Sequence, residues 1–206
     1  ASKSEIKPTS WYQGQIRQLG LNTINTQKMI QSGKLTTRVI PGYMYLFKYD
    51  PKDKNLPYYD MFPTGIVQNL NVEKNYFTML NFHYLPFKER AELMDALYPF
   101  MLFDNVQGKE IGSSLRARIN VNRVTYQFMK KRMNMRSFLP CWKRYDFKRV
   151  VGQFLYVPPI GWDTIIMLPL ARFRKSGINR VWANSQIERR MRKKIDRTKA
   201  SYKKRK

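Results

Sequence analysis

Residues 42–49 have the sequence Gly-Tyr-Met-Tyr-Leu-Phe-Lys-Tyr, and this stretch decides the fold. Its aromatic side chains recur at every second position, at Tyr43, Tyr45, Phe47 and Tyr49. A period of two is the spacing of a β-strand, in which alternate side chains point to the same face. The stretch therefore predicts a strand that turns an aromatic face toward a core.

Further strand-like segments follow this one along the chain. Residues 50–55, Asp-Pro-Lys-Asp-Lys-Asn, have the composition of a turn and end the first strand. Four later segments resemble strands, and they span residues 65–70, 76–84, 153–157 and 163–168. Five short strands interrupted by helices predict an α+β fold, a small SH3-like or OB-like β-barrel with inserted and C-terminal helices. An open α+β sheet fits this order nearly as well.

Three segments have the spacing of amphipathic helices. After Pro86, apolar residues recur three and four positions apart over residues 87–98. A second helix is predicted from a Ser113 or Ser114 cap, and its apolar positions are Leu115, Ile119, Tyr126 and Met129. A third is predicted over residues 178–198, with a stripe formed by Ala183, Ile187, Met191 and Ile195.

The chain divides into three predicted regions. Residues 1–40 form a helical or irregular arm, in which Trp11, Ile16 and Leu19 make a short amphipathic set and Asn25 caps a second helix. Residues 41–170 form a mixed α+β core domain, and residues 171–206 form a basic C-terminal helix and tail. Hydrophobic residues make up 43% of the 206 residues, which is too many for a disordered basic tail.

Several classes of protein are excluded by simple features. No run of residues approaches the 18 to 20 apolar residues that a membrane span requires, and Ala-Ser-Lys-Ser-Glu is no signal peptide. Cys141 is the single cysteine, so an internal disulfide is impossible. We therefore expect no membrane segment and a reducing compartment.

The surplus of positive charge is concentrated in two blocks. Residues 116–149 contain 11 Lys and Arg against one acid, a net of +10. Residues 172–206 contain 15 against two acids, a net of +13, out of +25 for the whole chain. Because like charges repel, this segregation destabilises the free protein and favours a polyanionic partner, of which nucleic acid is the commonest.

The sequence contains no recognisable active site. A zinc site needs four Cys or His ligands, and the chain has one of each, Cys141 and His83. The phosphate-binding glycine motifs and the Gly-x-Ser-x-Gly nucleophile motif are also missing. We predict no catalytic residues, no metal and no cofactor. His83 is interpreted as a packed, hydrogen-bonded structural residue, and Cys141 as a packed thiol.

A metal-dependent nuclease is the enzymatic alternative, because it needs two or three clustered carboxylates. Asp50, Asp53 and Asp60 are close enough in sequence to be candidates. Asp-Pro and Lys-Asp-Lys-Asn are ordinary turn sequences, however, so the simpler interpretation is a solvated loop.

What remains is binding. Arg116, Arg123, Lys130 and Lys131 fall near one side of the predicted second helix, beside Asn120 and Gln127, where they could grip phosphates. Trp142, Tyr145 and Phe147 alternate with cations, the mixture that lets aromatic rings stack on unpaired bases, although the same rings could belong to the core. The candidate DNA-contacting residues are Arg116, Arg118, Arg123, Lys130, Lys131, Arg132, Trp142, Lys143, Arg144, Lys148, Arg149, Arg189, Arg190, Arg192, Lys193, Lys194 and Arg197.

Several of these segments together resemble a known family. They are residues 42–52, Leu56-Pro-Tyr-Tyr-Asp-Met-Phe-Pro63, Leu80-Asn-Phe-His-Tyr-Leu-Pro86, residues 141–145, and residues 172–175 with 181–185. The set is similar to small basic virion proteins of T-even-like contractile-tailed phages, described as DNA end protectors or virion structural proteins. The resemblance covers about residues 40–185 and implies no catalytic residues. The chain is shorter than we expect of the T-even protein.

This resemblance implies a location and partners. It predicts a non-enzymatic bacteriophage protein of the head–tail junction or tail that binds DNA non-specifically, protects the genome end and contributes to head completion. It also implies contacts with other virion proteins in a multi-copy ring, after assembly in the host cytoplasm. Two alternatives stay open, a baseplate or tail scaffold subunit with protein contacts alone, and a ribonucleoprotein component.

Overall fold

The computed structural model describes residues 35–51, 56–104, 116–132 and 134–185. The strands among them are β1 Leu35–Thr36, β2 Met44–Tyr49, β3 Tyr59–Asp60, β4 Thr64–Asn71, β5 Tyr76–Asn81, β6 Met101–Asp104, β7 Arg116–Ile119, β8 Trp142–Asp146, β9 Val150–Val157 and β10 Phe173–Arg174. The helices are α1 Phe87–Leu97, α2 Tyr126–Lys131, α3 Trp162–Met167 and α4, residues 178–185. Short 3-10 helices lie at Phe82–Tyr84, Tyr98–Phe100, Arg136–Cys141, Phe147–Arg149 and Pro159–Gly161.

Six of these strands form an antiparallel sheet in the order β1-β9-β2-β4-β5-β8. Two smaller antiparallel ladders join β10 to β3 and β6 to β7. The fold is therefore α+β, as the sequence predicts. The first, second, third and fourth predicted strands correspond to β2, β4, β5 and β9.

Strand β2 lies inside the sheet and is buried on both faces. Met44 and Leu46 belong to the larger core cluster, which also contains residues of helices α1, α2 and α3. Tyr45 and Phe47 belong to a second cluster on the opposite face, which is dominated by aromatic residues. The predicted aromatic face is confirmed, and the intervening aliphatic residues supply a second core face.

The sheet curls strongly around the aromatic cluster. In the sheet order β2 and β4 lie between β5 and β9, so in a flat sheet β5 and β9 would be about 14 Å apart. The rings of Phe77 in β5 and Phe154 in β9 are nevertheless 5.7 Å apart. The three-residue 3-10 helix Phe147–Arg149 also joins β8 directly to β9. Among the described strands β8 pairs with β5 alone, so the ladder stays open and the expected closed barrel is not observed.

Helices α1, α2 and α3 cover the other face of the sheet. Leu93 and Leu97 of α1 are fully buried there, as are Met129 of α2 and, almost completely, Trp162 of α3. The Trp162 indole N–H donates to the Val157 carbonyl at 2.9 Å, so this large side chain is buried with its polar group satisfied. The helix predicted after Pro86 is confirmed as α1.

The helix predicted from Ser113 or Ser114 through Met129 is wrong. Ser113, Ser114 and Leu115 lie outside the described residues, and Arg116–Ile119 is the strand β7, paired with β6. Its Arg-Ala-Arg-Ile sequence alternates with period two, with Ala117 and Ile119 buried. Helix α2 begins after Thr125, whose hydroxyl accepts from the Phe128 N–H at 3.1 Å.

The strand predicted at residues 163–168 is also wrong, because Trp162–Met167 is the helix α3. Trp162, Ile165 and Ile166 are its buried side chains, at the three- and four-residue spacing of a helix face. The predicted C-terminal helix is present over residues 178–185. Its remainder, with Ile187, Met191 and Ile195, and the predicted N-terminal helices with Trp11, Ile16, Leu19 and Asn25 lie outside the described residues.

We expect Phe47→Ala to lower the free energy of unfolding by about 3–5 kcal/mol. Phe47 is fully buried, and its ring lies 5.0 Å from that of Phe154 and 5.4 Å from that of Tyr145. Urea denaturation followed by circular dichroism measures the change. Val72→Ala is the control, because Val72 is 79% exposed and should change stability by less than about 0.5 kcal/mol. A loss below about 1 kcal/mol for Phe47→Ala would contradict the curled aromatic core.

Candidate nucleic-acid interface

The described cations of the first basic block lie on adjoining elements. Lys130 and Lys131 end helix α2 and Arg132 follows it, and all three are exposed. The Tyr126 ring of α2 packs edge-on against the Trp142 ring of β8, with 5.6 Å between ring centroids. This contact places α2 beside the edge strand β8, which contains the next cations, Lys143 and Arg144.

The predicted single helix face of cations does not exist. Arg116 and Arg118 belong to strand β7, and Arg123 lies in the turn before α2 with its guanidinium 5.8 Å from the centre of the Phe100 ring. Asn120 likewise precedes α2 in the chain. The physical reason is the strand-forming alternation of residues 116–119, which puts Arg116 and Arg118 on a different element from Lys130 and Lys131.

Two of the three aromatic residues proposed to stack on bases are part of the core. Tyr145 is buried, and Phe147 packs against the same aromatic cluster. Trp142 is half-buried between Tyr126 and the larger core cluster. Lys148 is exposed and Arg149 half-buried in the 3-10 helix that joins β8 to β9.

A cavity of about 310 Å³ opens beside the edge strand β8. It brings together the end of β2, the segment that leads into β3, and β8. Tyrosines dominate its walls, and two cations from the first basic block complete them. The lining residues are Tyr49, Pro51, Leu56, Pro57, Tyr58, Tyr59, Asp60, Tyr84, Lys143, Arg144 and Tyr145.

The second basic block reaches the same cavity. Strand β10 pairs with β3, so that Arg174 lies opposite Tyr59 in the ladder. The Lys175 ammonium lies 3.5 Å from the carbonyl oxygen of Leu56, a lining residue. Cations that are about 30 residues apart in the sequence, Lys143 and Lys175, therefore flank one described surface. Arg189, Arg190, Arg192, Lys193, Lys194 and Arg197 lie outside the described residues.

The Asp60 carboxylate forms part of the cavity wall and is itself buried. Its Oδ1 accepts from the Phe62 N–H at 3.0 Å, and its Oδ2 accepts from the Asn81 side-chain amide at 3.0 Å. The His83 Nδ1 lies 2.7 Å from the same Oδ2, and both side chains of this pair are fully buried. In this pair the imidazole donates its Nδ1 proton and the carboxylate oxygen accepts it.

His83 and Cys141 are buried residues with structural roles. Burial lowers the pKa of His83, and its Nε2 is buried without a hydrogen-bond partner, which matches a neutral ring. The expectation that His83 is packed and hydrogen-bonded is confirmed. Burial raises the pKa of the Cys141 thiol, so this cysteine is a packed thiol rather than a reactive thiolate.

The described residues offer no metal site. Among residues 35–51, 56–104, 116–132 and 134–185, no three His, Cys, Asp or Glu side chains lie close enough together to hold an ion. Asp60 is committed to His83 and Asn81, Asp50 is exposed, and Asp53 lies outside the described residues. In the same part of the chain, no helix has the length and apolar composition to cross a membrane.

The sequence alone did not identify the tyrosines of the cavity. Tyr58 and Asp60 come from the segment Leu56–Pro63, and Asn81, His83 and Tyr84 come from the segment Leu80–Pro86. The structure places these two segments in contact through the Asp60–His83 hydrogen bond. The density of Tyr and Pro in both segments was a usable signal, but their meeting point depends on the pairing of distant strands.

A family model described as phage T4 terminal DNA protecting protein matches residues 5–189 of this chain. The match includes every described residue and therefore the whole cavity and both described parts of the basic blocks. No curated protein and no solved structure matches the chain.

We expect the His83 imidazole to stay neutral in the folded protein at pH values below about 6.5, the ordinary pKa of histidine. The unfolded chain takes up a proton in that range and the folded chain does not, so the free energy of unfolding decreases as the pH falls below about 6.5. The chain has one histidine, so ¹⁵N–¹H NMR spectra of imidazole nitrogens report on His83 alone.

The His83→Gln variant is the control for this prediction. Glutamine keeps an N–H donor for Asp60 but does not titrate. The free energy of unfolding of the variant should therefore depend less on pH between 6.5 and 5 than that of the wild type. An imidazole that titrates normally near pH 6.5 in the folded protein would show that the ring is not buried as described.

Proposed function

Because the chain belongs to the phage T4 terminal DNA protecting protein family, we propose that it binds the ends of phage DNA without sequence preference and shields them from exonucleases. The observation that carries the proposal is the convergence of both basic blocks on one surface. Lys143 and Arg144 from the first block and Lys175 from the second flank the same cavity. Cations gathered at one place attract a polyanion more strongly than the same cations dispersed over the molecule.

Phosphate contacts account for this binding. Exposed cations on α2 and on β8 can neutralise successive phosphates and release their counterions, which stabilises the complex at low salt. Readout of base sequence requires side chains inserted into a groove in a fixed array, such as a recognition helix. Helix α2 has six residues, and its Phe128 and Met129 face the core or its border. The cations at its end therefore position DNA without selecting a sequence.

We propose that the protein is not an enzyme. Protection of a DNA end requires occupancy rather than bond cleavage. Among the described residues the candidate carboxylates form no metal-binding cluster, since Asp60 is held by buried donors and Asp50 is exposed just after β2. A two-metal nuclease needs its carboxylates on a shared pair of ions.

We propose further that the protein acts in the virion, at the head–tail junction, with other virion proteins arranged around it. In this proposal a protein bound to the genome end at that junction also contributes to completing the head. Strands β9, β2, β4, β5 and β8 form a curled sheet, and the 3-10 helix Phe147–Arg149 precedes β9 in the chain. We propose this sheet as an SH3-like scaffold for the role. Assembly takes place in the host cytoplasm.

We expect DNA binding to be strong at low salt and insensitive to sequence. If about six to eight phosphates are neutralised, the affinity falls by about three orders of magnitude between 50 and 200 mM salt. Fluorescence anisotropy with two duplexes of unrelated sequence measures both properties. A flat response to salt, or the absence of binding to single- and double-stranded DNA, would contradict the proposal.

A matched pair of triple variants locates the phosphate contacts. Replacing Lys130, Lys131 and Arg132 by glutamine should reduce the slope of log affinity against log salt by about three. Replacing Arg38, Lys48 and Lys74 by glutamine removes the same three charges from exposed positions outside the basic blocks and should leave the slope nearly unchanged. Equal slopes for the two variants would mean that overall charge, not the first basic block, determines binding.

We expect the protein to protect linear duplex DNA from a processive exonuclease and to leave DNA intact by itself. A circular duplex has no ends, so an excess of circular competitor at 150 mM salt should not abolish protection. Incubation with Mg²⁺ or Mn²⁺ without the exonuclease should give no cleavage. Cleavage that disappears in the Asp50→Ala variant would contradict the non-enzymatic proposal.

A further inference from the structure

The cavity beside β8 has the size of a site for one small ligand, such as a single nucleotide. Its volume of about 310 Å³ is at the lower end of the range of about 300–1,000 Å³ that is typical of ligand pockets. It can admit one nucleotide, whereas a DNA duplex is far too wide. A surface that holds the duplex by its phosphates therefore has beside it a cavity that accepts a single unpaired unit.

One aromatic ring in the cavity wall, that of Tyr58, is supported by neighbouring rings. Tyr58 is half-buried and lines the cavity. The Phe173 ring of β10 packs edge-on against it with 6.1 Å between centroids, and the Tyr84 ring lies 6.3 Å away. A ring supported in this way loses little additional freedom when a base stacks on it. Stacking on an aromatic side chain accepts any of the four bases.

The cavity also has a fixed positive charge. The Lys143 ammonium is 3.9 Å from the centre of the Tyr84 ring, an attraction that keeps this cation at the cavity wall. The exposed Arg144, the next residue of β8, also lines the cavity, and its guanidinium lies 5.3 Å from the centre of the Tyr76 ring. The lining has two cations against one acid, Asp60, whose buried carboxylate is turned to Phe62, Asn81 and His83, so the balance of charge favours an anion such as a phosphate.

We propose that this cavity binds the unpaired terminal nucleotide of a DNA end, with the base against Tyr58 and its phosphate at Lys143 and Arg144. The proposal rests on the proposed function and identifies the part of the DNA that is recognised. A nucleotide inside a duplex is paired and stacked on both sides, and its extrusion costs a few kcal/mol. A terminal nucleotide frays more easily, so a cavity for one unpaired nucleotide distinguishes ends from interior DNA.

The cavity selects an end rather than a sequence. Its described lining contains no Asn or Gln side chain that could form the paired hydrogen bonds by which amides recognise adenine. Tyrosine faces, prolines and cations supply shape and charge without discrimination between bases. A protein that protects a genome end therefore needs no specific terminal sequence.

The experiment uses the full chain and duplex DNA with a one-nucleotide overhang. The fluorescent base 2-aminopurine is placed either at that terminal position or at an internal paired position. Stacking on a tyrosine should change the fluorescence of the terminal probe when wild-type protein binds and leave the internal probe nearly unchanged. Equal changes for both probes would overturn the proposal.

Two substitutions at Tyr58 separate stacking from fold. Tyr58→Phe keeps the ring and should preserve the terminal signal, whereas Tyr58→Leu should weaken binding to the overhang about tenfold. Tyr98→Leu is the control, because Tyr98 is a tyrosine 67% exposed outside the cavity. Equal affinities for Tyr58→Leu and Tyr98→Leu would overturn the proposal.

A charge variant tests the same site without changing a packed ring. Arg144→Gln should reduce the salt slope on overhang DNA by about one relative to Arg38→Gln and should weaken the terminal signal. If wild-type protein neither binds linear DNA nor protects it, the proposed function itself fails. If wild-type protein protects ends but the Tyr58 and Arg144 variants match their controls, the cavity proposal alone fails.

Discussion

The buried carboxylate of Asp60 is the constraint on which the candidate site depends. A buried charge without partners costs several kcal/mol, so the surrounding segments must supply donors in fixed positions. Asn81 and His83 supply them from β5 and the 3-10 helix that follows it, and the Phe62 N–H supplies the third. The Asn81 amide also donates to the Tyr145 hydroxyl of β8 at 2.8 Å. The carboxylate thus joins β3 to β5 and to the 3-10 helix Phe82–Tyr84, and Asn81 extends this network to β8 at the cavity wall.

The aromatic cluster explains why those elements meet. Large rings on the concave face of β2, β5 and β9 can contact one another across intervening strands only if the sheet curls. The curl brings Tyr49 of β2 within 4.9 Å of Tyr145 of β8, measured between ring centroids. The edge strand β8 therefore lies near β2 without pairing to it, and the cavity opens beside this edge. The open edge and the cavity have the same physical origin.

The sequence predicted the features that depend on local period. The alternation in residues 42–49 and the three- and four-residue spacing after Pro86 lie within one element each, and both predictions are confirmed as β2 and α1. It failed where a short segment fits two periods, as at Arg116–Ile119 and Trp162–Met167, because partner strands and core contacts decide such cases. The cavity could not be predicted from local sequence patterns, because strand pairing brings Asp60 and His83 together.

The basic segments depend on the rest of the fold for their stability. Cations gathered on a small surface repel one another, and the repulsion must be offset by packing elsewhere. Here the offset comes from the interior strand β2, which is buried on both faces, with Met44, Leu46 and Phe47 fully enclosed. Because β10 pairs with β3, folding of that sheet also carries the start of the second basic block to the cavity rim. The charge is therefore segregated in sequence but brought together in space by strand pairing, which makes the positive surface a product of the fold as well as of composition.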